Sequence, residues 1–174
     1  MKRLSVVAAA MTTPEVGEKL LPYLTAIALR QPPHPDELLL LLGQELPSVA
    51  TVLGTAHVTE FLPMLERLAA VEETVVRDQA VTVLQPRCEN TKIAAGSTPV
   101  DPAPWMGLAK RLSSADWFTA KVSAAGIIAP VFSLVSIGSN PAAANSPGSA
   151  ADLSQELLSL YKDLCQDDTP MVRR

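Results

Sequence analysis

Aromatic residues make up only 4% of this 174-residue chain, which also holds just two cysteines, two histidines and eight glycines. Cys88 and Cys165 lie far apart, with no flanking group that would lower a thiol pKa, so they fit neither a disulfide framework nor a thiol catalyst. They read as reduced thiols of an intracellular protein. His34 and His57 have no Cys, Asp or Glu at metal-ligand spacing, so zinc and triad templates both fail; each reads as an ordinary loop or surface residue. The scattered glycines offer no strand-turn-helix frame for a phosphate loop. Neither a catalytic site nor a cofactor is therefore expected. Positive charge is short as well, with 14 Lys and Arg against 18 Asp and Glu and a net charge of -4. A chain without a basic block cannot neutralise several phosphates, which argues against nucleic acid. Long apolar runs are missing too: 38–42 is five residues and 127–137 contains Pro130 and Ser133. Both fall short of the ~20 residues of a membrane span, so no membrane-crossing segment is expected.

What the chain does hold is 48% apolar residues, dominated by Leu and Ala. These lose least in a helix, and β-branched and aromatic runs are sparse, so the expected class is all-α, in one soluble domain over 1–174. The start, Met1 to Met11, has two basic residues before an apolar run, the anatomy of a short signal peptide. That leaves a small secreted helical enzyme as one alternative, decided by the mass of the mature N-terminus.

Internal similarity organises the rest. A block of apolar helix, acidic turn and second helix runs from Phe61-Leu62-Pro63-Met64-Leu65 through Glu72-Glu73 to Val81. It recurs from Gly107 through Asp116-Trp117-Phe118 to Ala125, and from Leu157 through Asp167-Asp168-Thr169-Pro170 to Arg174. Arg77, Lys121 and Arg173 each stand nine residues after Leu68, Leu112 and Leu164. A looser copy precedes them, with Leu20-Leu21-Pro22-Tyr23-Leu24 opening it. Taking Ile27, Leu68, Leu112 and Leu164 as equivalent gives repeat lengths of 41, 44 and 52. Two of these match HEAT and armadillo units, and 138–149, rich in Gly, Ser, Asn and Pro, accounts for the third as an inserted surface loop. The expected fold is a HEAT-repeat solenoid of about three repeats with incomplete terminal ones, neither end carrying a polar cap. Each helix pair has an apolar face that only a neighbouring pair can cover. Pro86 is expected to end the helix from Thr74 near Leu84, because an interior proline costs roughly 3 kcal/mol, and so to weaken packing between the second and third repeats.

Three motifs carry a family resemblance: Val71-Glu72-Glu73-Thr74-Val75-Val76-Arg77-Asp78, Lys110-Arg111-Leu112 with Asp116-Trp117-Phe118-Thr119, and Leu164-Cys165-Gln166-Asp167-Asp168-Thr169-Pro170-Met171-Val172-Arg173-Arg174. In this order and spacing they resemble the scaffolding A subunits of protein phosphatase type 2A, over most of the chain. The resemblance implies a non-catalytic scaffold. It assigns 1–13 to the second helix of a first repeat, 14–60 to a second repeat and 61–103 to a third; 104–174 then holds one repeat with the long 138–149 loop and the start of the next. In the family, early repeats bind regulatory B-type subunits and the last ones hold the catalytic subunit. This stretch is thus expected to bind regulatory but not catalytic subunits, in the cytoplasm and, as a second compartment, the nucleus. Departures from the family pattern are Pro86 and the altered loops around Pro32 to Pro35, Cys88 to Pro104 and Gly138 to Ser149.

The same resemblance makes the turns within repeats the partner surface: Glu72 and Glu73; Asp116, Trp117 and Phe118; Asp167, Asp168, Thr169, Pro170, Met171 and Arg174. Glu72 and Glu73 could equally serve as helix-start charge. Trp117 is expected to face a partner and Phe118 to pack inward. Pro170 suits a helix's first turn, Asp168 or Thr169 its cap, and Met171 is the adaptable contact. The register of Arg77, Lys121 and Arg173 fits a structural ladder bonding to turn carboxylates of neighbouring repeats. The alternative function is another helical-repeat adaptor holding peptides or proteins in its concave groove, which would place aromatics on the inner helices rather than in turns.

Overall fold

The computed structural model describes residues 4–31, 33–53, 59–90, 101–137 and 150–173. Among these residues every regular element is helical and none is a strand, so the all-α class read from the sequence is the class found. In chain order they are α1 (Leu4–Ala10), α2 (Thr13–Glu15), α3 (Leu21–Leu29), α4 (Asp36–Leu53), α5 (Leu62–Ala69), α6 (Thr74–Asn90), α7 (Ala103–Ser113), α8 (Phe118–Ile137) and α9 (Ala150–Cys165). A π turn, Val16–Leu20, joins α2 to α3. The helices divide into two compact units, one up to Val83 and one from Leu84.

In the first unit α1 packs on α4, α3 on α4 and α5, and α4 on α5. Leu39, Leu42, Leu46, Val49 and Ala50 are buried along α4, and Leu62, Leu65, Leu68 and Ala69 along α5. Steps of three and four residues keep such side chains on one helical face. The helix beginning at α2 starts at Thr12, whose backbone N–H and Oγ1 both donate to the Glu15 carboxylate at 3.1 and 3.0 Å. These bonds, with Lys19 beside them, hold the Glu15 carboxyl below its ordinary range. Gly43 permits a close approach: a Cβ there would lie 3.1 Å from Cγ of Gln79 on α6.

The second unit contains α7, α8 and α9, each packed on the other two. Asp101 Oδ1 accepts the Ala103 N–H at 2.9 Å, and Pro102 and Pro104 pre-set the first turn of α7. From that start Trp105, Met106, Leu108, Ala109 and Leu112 all point inward, with Trp105 wholly buried. An indole brings one of the largest apolar areas a side chain can bury, which makes it the centre of this core. Across from it α8 buries Ala120, Ala124, Ile127, Ile128, Val131, Leu134 and Val135.

Proline placement corrects two expectations. The helix from Thr74 does not stop near Leu84 but runs to Asn90, through Pro86. A proline takes one backbone bond from the ladder, yet the helix continues, with Val76, Ala80, Val83 and Leu84 buried ahead of it. Likewise Pro130 lies inside the 20-residue α8. The stretch Phe118–Ser136 is therefore long and apolar enough to cross a membrane by length and composition, contrary to the reading from 127–137 alone. Half of it is buried as the core helix of its unit. The carbonyl that Pro130 leaves without a helical donor, Gly126 O, accepts from Gln85 Nε2 at 3.0 Å. Pro32, His57, the 138–149 loop and most of the 88–104 loop lie outside the described residues.

Candidate functional site

The turn ahead of α6 is held by Arg77, which is 7% exposed. Its Nη1 donates to the carbonyls of Val71 and Glu72, both at 3.0 Å, and its Nη2 to Thr74 Oγ1 at 3.2 Å. A planar guanidinium can serve two carbonyls at once, so the turn closes around one side chain. Glu73 stands just ahead of the helix, its carbonyl accepting the Arg77 N–H, and Glu72 and Glu73 are both exposed.

After α9 the same device recurs in the second unit. Arg173 Nη1 donates to the carbonyls of Asp167 and Asp168, six and five residues back, as Arg77 does to Val71 and Glu72. The expected ladder is therefore corrected: both arginines bind carbonyls of their own turn rather than carboxylates of neighbouring repeats. Among the described residues, Lys121 alone of the three reaches a carboxylate from another turn, bonding Asp167 Oδ2 at 2.7 Å across 46 residues of sequence. A lysine is a single point charge on a flexible stem and lacks the fork that clasps two carbonyls.

Asp167 uses both oxygens, since Oδ1 accepts the Thr169 N–H at 2.8 Å. The Lys121 hydrogen bond first, and the Thr169 amide after it, hold this carboxyl below its usual range. Asp167, not Asp168 or Thr169, thus supplies the side-chain bond of this turn. Beyond Pro170 the described chain forms a turn rather than a helix, closed by the Val172 N–H on Thr169 O at 3.0 Å. Buried Val172 pins that turn, and Met171 beside it is 55% exposed.

The Lys121–Asp167 bond ties the head of α8 to the turn after α9. Ahead of α8, Trp117 is 68% exposed and Asp116 also faces outward, while Phe118 is half-buried. Asp168 and Pro170 are exposed and Thr169 is half-buried. Glu72 and Glu73 belong to the other unit, and Arg174 lies outside the described residues.

Sequence reasoning missed a polar notch of about 230 Å³ beside this bond, lined by Ser113, Ser114, Lys121, Asp163 and Asp167 over Leu160 and Leu164. Ser113 and Asp163 fall in no recognisable motif, and only the packing of α7 against α9 brings them together. In the first unit, a cavity of about 450 Å³ lies among Tyr23, Leu24, Ile27 and Leu38, with Arg30 and His34 at its edge. Arg30 Nη1 and His34 Nε2 are 3.4 Å apart. Among the described residues, no group of three or more His, Cys, Asp or Glu could hold a metal ion.

No protein-family model matches the chain. Curated relatives match its entire length. It is 37% identical over 176 residues to the beta isoform of the 65 kDa regulatory A subunit of serine/threonine-protein phosphatase 2A from Homo sapiens, covering 100% of this chain and 25% of that protein. It is 35% identical to a probable serine/threonine-protein phosphatase PP2A regulatory subunit of Caenorhabditis elegans, covering 100% and 26%. A third relative, the regulatory A subunit of protein phosphatase PP2A from Saccharomyces cerevisiae, is 34% identical, with 100% and 24% covered. The chain spans about a quarter of the length of these relatives.

Proposed function

We propose that this chain, whose homologues along its full length are regulatory A subunits of phosphatase 2A, is scaffold material of such a phosphatase. Its part is non-catalytic: it presents the turns between helices to regulatory B-type subunits. The observation that carries the reading is the Lys121–Asp167 bond, which ties two successive turns together while Trp117 and Met171 stand exposed on them. Large side chains that are both exposed and rigidly mounted make good anchors for a partner's pocket. Asp116, Phe118, Asp168, Thr169 and Pro170 complete this surface, and Glu72 and Glu73 offer a turn of the same kind in the first unit. The stretch is read as serving regulatory rather than catalytic subunits, in the cytoplasm and the nucleus.

The test is capture of purified B-type and catalytic subunits, each offered separately to the immobilised chain. The expected result is weak capture of a B-type subunit, reduced at least several-fold by Trp117→Ala at unchanged helical circular dichroism. Equal capture by both forms would remove Trp117 from the surface, and capture of only the catalytic subunit would overturn the assignment.

A further inference from the structure

We infer that the notch beside the Lys121–Asp167 bond is a receptor for one basic side chain, arginine or lysine, of a protein partner. The inference rests on the partner-binding reading above and adds the chemistry of a contact. Three acidic or basic groups line the notch: Asp163, Asp167 and Lys121. The Lys121 ammonium is committed to Asp167 at 2.7 Å, and Asp167 is further satisfied by the Thr169 amide. Asp163 is therefore the carboxylate left uncompensated, and a single added cation brings the notch to neutrality. Lys110 on α7 is taken by Glu156 at 2.7 Å.

The remaining groups fit the same guest. Ser113 and Ser114 line the notch beside these groups. Leu160 and Leu164 form an apolar wall, the surface along which a Lys or Arg stem lies while its charged head reaches polar groups. A guanidinium could donate to both carboxylate oxygens of Asp163, using two of its five N–H groups. A volume of about 230 Å³ admits one such head with part of its stem, not a whole peptide. Trp117 stands just ahead of α8 and Lys121 lies in its first turn, so the notch sits at the same end of that helix as the exposed surface already described. An acidic guest is excluded by the surplus carboxylate.

The experiment titrates the full chain, labelled with ¹⁵N, with Nα-acetylarginine amide and separately with its uncharged citrulline counterpart. The expected result is a set of amide shifts centred on Ser113, Ser114 and Asp163 with arginine, absent with citrulline and at least tenfold weaker in Asp163→Asn. Identical shifts with both compounds, or an unchanged titration in Asp163→Asn, would overturn the notch. The second arm is capture, at low salt, of a purified B-type subunit by both forms of the chain. About tenfold weaker capture by Asp163→Asn supports the notch as a partner contact, and equal capture removes that role. Arginine binding at the notch by a wild-type chain that captures no B-type subunit would place the fault in the choice of partner, leaving the basic-side-chain receptor standing. The side chain of Asp163 is exposed, so Asp163→Asn leaves the fold in place, and an unchanged backbone spectrum verifies this.

Discussion

The amide of Gln85 donates to the carbonyl of Gly126 at 3.0 Å, the acceptor that Pro130, four residues on, leaves without its helical donor. A side chain from outside α8 thereby completes the ladder of a proline-bearing core helix. Gln85→Ala is expected to destabilise the second unit by about 1–3 kcal/mol, the range for stranding a polar group away from water. In a Pro130→Ala background, residue 130 regains its N–H and the same substitution should cost less than half as much. Thermal melts of the four forms check the coupling, and equal losses in both backgrounds would count against it.

Arg77 clasps two carbonyls and a hydroxyl from a nearly buried position. Arg77→Ala is expected to cost about 2–4 kcal/mol, and Arg77→Lys to recover only part of it, because one ammonium cannot reproduce the fork. Urea unfolding followed by circular dichroism reads both. Full recovery by lysine would mean that charge alone mattered.

Acid should loosen the Asp167 junction. Its carboxyl is held below the ordinary range in the folded chain, so the stabilisation is present above the unfolded pKa of about 4 and is lost as pH falls through the lower folded value. The melting difference between the native chain and Asp167→Asn should accordingly be constant from neutral pH to about 5 and shrink below about 4. A difference independent of pH down to about 2 would show that the charge of Asp167 contributes nothing.

Trp105→Ala should cost about 3–5 kcal/mol through lost transfer energy and the cavity left in the core. Trp105→Phe should cost clearly less, since among the described residues Trp105 Nε1 has no hydrogen-bond partner to lose. Chemical unfolding of the two variants compares them, and equal costs would refute the reading of a purely apolar role.

Much of this architecture can be read from the chain. The steps of three and four among Leu62, Leu65, Leu68 and Ala69, and among Leu157, Leu160 and Leu164, announce helices with one apolar face. The acidic turns are visible as well, as is the register of Arg77, Lys121 and Arg173. What that register binds is not visible, because carbonyls carry no sequence signature and the choice between a turn's own backbone and a distant carboxylate depends on the fork of arginine against the point charge of lysine. Pro86 shows a related limit: the local penalty of a proline is legible in the sequence, while the packing of the helix that carries it is not. Trp105 lay hidden between Pro102, Pro104 and a glycine, although its spacing to Leu108, Ala109 and Leu112 was the available signal. Ser113 and Asp163 had none, since a long stretch of sequence separates them and only helix packing unites them.

Trp105 and Trp117 are the two indoles of the chain, one fully enclosed and the other 68% exposed. Their emission should therefore separate into a blue component that iodide cannot quench and a red one that it can. With no label attached, the first reports whether the helices of its unit are packed, and the second whether anything has settled on the turn.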